Sequence, residues 1–309
     1  MSERALVIVG SLNMDFVVRV ERLPAPGETA LGRAFQMIPG GKGANQAYAA
    51  GRLAKSVRAR MIGRVGYDLF ADHLKASLAA AGVDVSFVHA TRSAPTGVAL
   101  IWVDNEGQNS IVVASGANYA LAPSEVEPMR PLFSSASYAL FQLETPPETV
   151  VRALAVARQE GAKTILDPAP AQRLDAELLA NVDLLTPNET EACILLDRPP
   201  ARVSLAEAKS LAQALLAAGV KAVVLKLGDQ GCFYCDREAS LHSPAFPVHC
   251  VDATAAGDTF NAGLAVALAE NQPMEQALRF ANAAAALSVT SLGAQASIPS
   301  RAAVDTLVA

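Results

Sequence analysis

The sequence predicts an α/β fold: a doubly wound, mostly parallel sheet with helices on both faces, accompanied by a small antiparallel β-sheet. Three observations predict it. Short apolar runs of strand length alternate with longer segments of helical spacing through most of the 309 residues. The runs end in glycine or polar residues, as buried parallel strands do at the edge of a sheet. Two stretches, at about 14–38 and 97–114, break the alternation with short apolar and polar segments around turn residues, the pattern of antiparallel excursions. One body over residues 1–309, with those two stretches forming a lid, is the expected organisation.

Composition bounds the function. With 51% hydrophobic residues the chain can bury a large core. A formal charge of -5 argues against a general nucleic-acid or anionic-membrane surface, and any phosphate site must then be built locally. The start, Met1-Ser-Glu-Arg and an apolar segment from Ala5 to Val9, reaches Gly10 too soon for a signal peptide or a membrane span, so a cytoplasmic protein is expected. Four cysteines do not make a disulfide framework in a chain this long. Cys232-Phe-Tyr-Cys235 has zinc-like spacing, with His242, His249 and Cys250 after it. Residues three apart on a strand face opposite sides, which favours small core thiols instead.

In chain order, Leu6 to Val9 reads as a strand ending in Gly10-Ser11-Leu12-Asn13-Met14-Asp15. Asn13 and Asp15 are two apart and face the same way on extended backbone, suited to neighbouring hydroxyls of a polyol; an Asx turn leaving the strand uses the same residues. No Gly-x-Gly-x-x-Gly run and no P-loop follows any strand, which argues against a dinucleotide fold and a P-loop enzyme. After the first excursion, Pro39-Gly40-Gly41-Lys42-Gly43-Ala44-Asn45 feeds an alanine-rich helix to about Leu53. Its glycines let backbone close on a ligand, with Lys42 and Asn45 as donors at the helix start.

Arg58 to Ile62 reads as strand, Tyr67 to Ala81 as helix and Val85 to Val88 as strand. Beyond the second excursion come strand Tyr138 to Leu143, helix Pro147 to Gln159 and strand Thr164 to Leu166. Glu144 and Asp167 fall just past the ends of such strands, the edge where ligands of open α/β sheets collect. Pro187 ends the next strand and Asn188 opens a helix. Asn188 and Glu191 form a capping-box pattern, and their oxygens on one helical face also suit the water shell of Mg²⁺. Helix Ser204 to Ala218 and strand Ala222 to Leu227 precede Gly228-Asp-Gln-Gly231, a glycine turn fit to pass close to a nucleotide. Strand Gly231 to Asp236 follows, and helix Met274 to Val289 carries small residues around Asn282 that allow close packing or a flat ligand, Asn282 itself also reading as a solvated polar position.

Asp252-Ala-Thr-Ala-Ala-Gly257-Asp258-Thr259-Phe260 combines a small-residue turn, a helix start and one carboxylate. Ala255, Ala256 and Gly257 admit a ligand close to their backbone, where unpaired N–H groups hold a phosphate or a developing anion. Asp258 in that first turn can take a proton from an alcohol while the amides stabilise the phosphoryl group under attack. An Asp there is also ordinary helix chemistry.

With Gly-Gly-Lys-Gly-Ala-Asn-Gln-Ala at 40–47 and Asp-x-Thr-Ala-Ala-Gly-Asp-Thr-Phe at 252–260, the sequence resembles the ribokinase family of carbohydrate kinases over essentially its whole length. Gly-Ser-x-Asn-x-Asp at 10–15, Thr-Pro-Asn-Glu-Thr-Glu at 186–191 and Gly-Ala-Gln at 293–295 fit as well. The resemblance implies transfer of the ATP γ-phosphoryl group to the primary hydroxyl of ribose, with Mg²⁺ accompanying ATP. It implies Asp258 as general base, and Ala255, Ala256 and Gly257 as anion hole. Asn13, Asp15, Gly41, Lys42, Gly43, Asn45 and Glu144 would grip the sugar. Asn188 and Glu191 would lie near magnesium and the phosphates, and Gly228, Gly231, Gly257 and Asn282 would line the nucleotide. Asp252, Thr254, Ser288, Ser291, Gly293 and Ser297 match the positions that bind an activating monovalent cation, K⁺. Lys226 departs from the pattern, since close relatives often have Thr, and implies an added cation beside the triphosphate. Met14 is bulkier than its usual counterpart, which leaves 2-deoxyribose as an alternative acceptor. A non-catalytic sugar or nucleotide sensor is the alternative outside the enzymes. The apolar face and free edges of the small sheet suggest a homodimer.

Overall fold

The first strand, β1 (Ala5–Val9), is apolar at every position because helices cover both faces of the sheet it centres, and all five side chains are buried. β2 (Asn13–Arg19) and β3 (Ala34–Gly40) follow as a hairpin with a long connection. After them come β4 (Arg58–Gly66), β5 (Asp84–Thr91), β6 (Gly97–Val103) and β7 (Asn109–Ala114). The second half holds β8 (Ala136–Phe141), β9 (Lys163–Leu166), β10 (Leu184–Leu185), β11 (Ala222–Lys226), β12 (Cys232–Cys235) and β13 (Ser240–Ser243). This computed structural model describes residues 4–309; Met1 to Glu3, ahead of the first strand, lie outside the described residues.

Nine strands form the main sheet in the order β13-β12-β11-β10-β9-β8-β1-β4-β5. It is parallel from β11 to β5 and closes with an antiparallel hairpin, β12 and β13. The chain starts at β1, fills one side through β4 and β5, then returns to fill the other from β8 onward. The reversal between β1 and β8 parts their outgoing loops and opens a crevice at the strand ends. One face is covered by the helices Lys42–Leu53, Ala256–Ala269 and Met274–Ser288. The other carries the helices Pro147–Gln159 and Leu205–Ala217. Ile8 and Leu6 point to the first core and Val7 and Val9 to the second, the period-two alternation of a strand buried on both sides. Truncating Ile8 to Ala would cost about 2–5 kcal/mol.

The small sheet has the order β3-β2-β6-β7. Its outer pairs are antiparallel, as the sequence predicts, but its central pair, β2 with β6, is parallel. The reason is topological: each excursion leaves the main sheet from the same edge, after β1 and after β5, so the two first strands run alongside in one direction. β4 also runs further than expected, to Gly66; it tolerates Gly63 because Leu12 Cδ1 lies 2.5 Å from where a Cβ would stand. β13 went unread, since its four residues carry one large apolar side chain. Cys232 and Cys235 lie in different cores, on opposite faces of the sheet, and burial pushes the Cys232 thiol up to about 12. No helix among the described residues is long and apolar enough to cross a membrane.

Candidate active site

One side-chain bond links the residues that follow β1 and β8 at the crevice: Ser11 donates to Glu144 at 2.5 Å. The same carboxylate oxygen accepts from the backbone N–H of Lys42 at 3.1 Å, so Glu144 caps the helix Lys42–Leu53 from across the sheet. Gly41 precedes that helix with φ +89°, and a Cβ there would come within 2.8 Å of the Asn13 nitrogen; only glycine fits both demands. Gly43 crosses Gly10 so closely that a Cβ would lie 2.6 Å from Gly10 backbone. Asn13 is buried, and its Oδ1 accepts from Asn118 Nδ2 at 2.7 Å. Asp15 lies two residues along β2 in the same register row as Ile38 and Ala99. Burial, then Glu144 and Asp258, push its carboxyl up to about 7.

Asp258 sits in the first turn of the helix Ala256–Ala269, only 6% exposed, at the wall of a cleft. No side chain caps this helix start, and Ala255 ahead of it is held at φ 59°, a left-handed conformation that costs a non-glycine residue about 1–2 kcal/mol. The strain turns the chain so that Gly257 and Asp258 face the cleft together. Asp258 Oδ2 accepts from Asn45 Nδ2 and Oδ1 from Gln46 Nε2, each at 3.1 Å. Burial pushes its carboxyl up, Lys42 pulls it down and Asp167 pushes it up again, leaving it at about 6. Such a group is ionised at neutral pH yet basic enough to accept a proton. Burial disfavours the Lys42 ammonium, but Asp258, Asp167, Glu144 and Glu191 outweigh it and keep the side chain charged.

Two clefts adjoin here. One, of about 450 Å³, is charged and is lined by Lys42, Asp167, Asn188, Glu191, Gly257 and Asp258. The other, of about 470 Å³, is largely apolar, between Gly228, Gly231, Phe246, Val248, Ala285 and Val289. Lys226, Gly228, Ala253 and Gly257 border both. Lys226 Nζ donates to Asp167 Oδ1 at 3.0 Å, and a Cβ on Gly257 would lie 3.4 Å from the same ammonium. Asn282 lines the apolar cleft but is not the solvated position the sequence allowed: it is buried, and its Nδ2 donates to Ser243 O at 3.0 Å and Pro244 O at 3.2 Å. Asn188 and Glu191 do form the capping box, Asn188 N to Glu191 Oε2 and Glu191 N to Asn188 Oδ1, both at 2.8 Å. Of the Glu191 carboxylate, the capping box uses Oε2 and leaves Oε1 outside it.

The predicted monovalent-cation residues come from two segments that meet. Asp252 Oδ1 accepts from Thr254 N and Oγ1, and Oδ2 from Gly293 N at 2.9 Å. Burial opposes its charge, but these bonds prevail and hold the carboxyl below the usual range. Ser288 and Ser297 are buried with their hydroxyls donated to Ala285 O and Ala294 O, so each keeps oxygen lone pairs to offer. Ser291 stands in the bend between Ser288 and Gly293, and the oxygen-only donor set suits a hard cation.

In the sequence, Gln46, Gln142, Asn118 and Ser11 carry no sign of a role, and Asp167 reads as a strand-end carboxylate. Gln46 joins Asp258 to Asp167, and Gln142 donates to Gln46. The one signal was a glutamine inside a run of small apolar residues on a helix packed into the core.

A model of the pfkB family carbohydrate kinases matches residues 3–301. The chain is 41% identical over 301 residues to the ribokinase of Haemophilus influenzae, covering 96% of each protein. It is 34% identical over 296 residues to the deoxyribokinase of Salmonella typhi, covering 96% of this chain and 95% of that one. The solved ribokinase of Arabidopsis thaliana, complexed with ribose and ATP, superposes with a TM-score of 0.92 at 34% identity, over 100% of this chain and 99% of that one. Likeness of this extent in sequence and in fold makes the chain a member of the pfkB family of carbohydrate kinases.

Proposed function

We propose that this kinase transfers the γ-phosphoryl group of ATP to the 5-hydroxyl of D-ribose, yielding D-ribose 5-phosphate and ADP. The observation that carries the reading is Asp258: a buried carboxylate at about 6, fixed by two amides, next to an uncapped helix start. The likeness to the Haemophilus influenzae ribokinase supports ribose as acceptor.

In this reading Asp258 takes the proton of the sugar hydroxyl as its oxygen attacks the γ-phosphorus. The bond from that phosphorus to the bridging oxygen breaks, and ADP leaves with the electron pair. The amides of Ala255 and Gly257 receive the charge on the transferring group, where fixed dipoles in a dry site act most strongly, whereas the expected third donor, Ala256 N–H, is already donated to Ala253 O at 3.2 Å. Asn13, Asp15, Gly41, Lys42, Gly43, Asn45 and Glu144 orient the sugar so that one hydroxyl faces the base. The adenosine moiety of ATP occupies the apolar cleft beside Gly228, Gly231 and Asn282. Asn188 and Glu191 would hold the water shell of Mg²⁺, which when bound would offset the triphosphate charge. Lys226 adds a fixed cation on the same side. K⁺ bound by Asp252, Thr254, Ser288, Ser291, Gly293 and Ser297 would brace the Ala255 turn. We read residues 1–309 as one unit, the small sheet as its lid and as the surface of a homodimer, and the cytoplasm as the place of action.

The relative named deoxyribokinase favours 2-deoxyribose as a second reading; Met14 does not, because its side chain is packed in the core, on the opposite face of β2 from Asn13 and Asp15. An ADP-release assay with ribose, 2-deoxyribose, fructose and adenosine, each with and without K⁺, tests both. Ribose turnover with the highest kcat/KM, raised by K⁺, is expected. A preference for 2-deoxyribose replaces the acceptor, and no turnover with any of the four returns the chain to the sensors.

A further inference from the structure

We propose that Gln46 is a positioning residue for Asp258: its amide, anchored from behind by Gln142, holds one carboxylate oxygen in place and keeps the base ionised beside a second buried carboxylate. The inference rests on Asp258 being the base.

Gln46 is 1% exposed and Gln142 is 0% exposed, so neither amide is a solvated group that happens to lie nearby. An amide nitrogen carries two hydrogens. Those of Gln46 go to Asp258 Oδ1 and Asp167 Oδ2, each at 3.1 Å. Its Oε1 accepts from Gln142 Nε2 at 2.7 Å. The orientation is therefore set by chemistry: turned over, the amide would put an oxygen between two carboxylates and a donor against a donor. Gly10 leaves room for the support, since a Cβ there would meet Gln142 Oε1 at 2.0 Å.

The arrangement answers an electrostatic problem. Two carboxylates in one buried site oppose each other's ionisation. Asp167 is 2% exposed and its other oxygen is paired with Lys226. Lys42 faces Asp258 from the helix that carries Gln46, Asp15 faces it from β2, and Lys226 lines the same cleft from the end of β11. Glu144 and Glu191 reach it through Lys42. A lysine in place of Gln46 would overcompensate; a neutral donor with two hydrogens serves both anions without removing the basicity the reaction needs. With Asn45 on Oδ2, the carboxylate is held at both oxygens and its plane is fixed.

The test is the pH dependence of kcat and kcat/KM for ribose, from pH 5 to 9, in the parent, Gln46→Leu, Gln142→Leu and Asp258→Asn. In Gln46→Leu the acid limb is expected to move up by about one pH unit, the size of one lost hydrogen bond to a charged group. Activity then falls about tenfold at pH 5.5 and returns to within about threefold of the parent at pH 8.5, with the KM for ribose little changed. Gln142→Leu, which leaves Gln46 in contact but unanchored, shifts the limb the same way by less, and it carries the test should Gln46→Leu fail to fold. A limb at the parent's position in these variants, whatever the loss of kcat, overturns the proposal. Parent-like turnover in Asp258→Asn instead overturns the base assignment, and this inference with it; a dead Asp258→Asn with an unmoved Gln46→Leu limb overturns Gln46 alone.

Discussion

β2 belongs to two regions built to different standards. At its start, Asn13 and Asp15 join a floor in which Asn45, Gln46, Gln142, Asp167 and Lys226 are matched donor to acceptor within one chain. Further along, the same strand lies in a sheet that leaves Phe35 57% and Ile111 52% exposed, with Met37, Leu100, Val112 and Val113 exposed as well. Leu100 and Val112 share one register row and Ile111 lies in the next, so apolar side chains stand open on both faces. The floor is closed by its own bonds, save for Gln142 Oε1, which is buried without a partner. The sheet has the character of a surface awaiting something, a substrate on one side and, in our reading, a second copy of the chain on the other.

That contrast predicts large chemical and small structural effects from the floor, and the reverse from the sheet. Asp258→Asn should lower kcat at least about a hundredfold at pH 8 while ribose affinity, read by calorimetry, stays within a few fold. Lys226→Met should cost about tenfold in kcat/KM for MgATP and little in KM for ribose, because the ammonium borders the nucleotide cleft; equal losses for both substrates would contradict a role on the nucleotide side. Ile111→Lys should turn a dimer into a monomer in sedimentation velocity at micromolar concentration, with kcat changed less than about threefold; an unchanged sedimentation coefficient removes the sheet from any interface.

The smallest effect is one on stability, in Asp15→Asn. The folded chain holds the Asp15 proton up to about 7, above the ordinary carboxylate value of 3.8. The stability this adds is full below about pH 4 and is lost as pH rises through 7, so the parent bears a buried charge at pH 8. The variant should then melt a few degrees above the parent at pH 8 and not at pH 4. A gain of the same size at both would show that the residue does not titrate in that range.

Much of this was legible before any coordinates. Strand-ending glycines, the Asn188 capping box and the two small-residue helix starts are local signals, and local signals survive in sequence. The parallel pairing of β2 with β6 was not, because nothing in either strand records which strand lies beside it. Nor was the Gln46 link: its partners lie 121 and 212 residues away, and a glutamine in a helix carries no mark of what it will meet. Asn282 shows the same limit in reverse, since a polar residue among alanines reads as solvated until β13 and the loop after it close over it.

The most direct measurement is kcat/KM for ribose in the unaltered enzyme from pH 5 to 9 at saturating MgATP. A base buried at about 6 predicts a tenfold loss per unit below pH 6 and a plateau above it. A bend near pH 4, or a rate indifferent to pH across that span, would contradict the assignment of Asp258 as the proton acceptor.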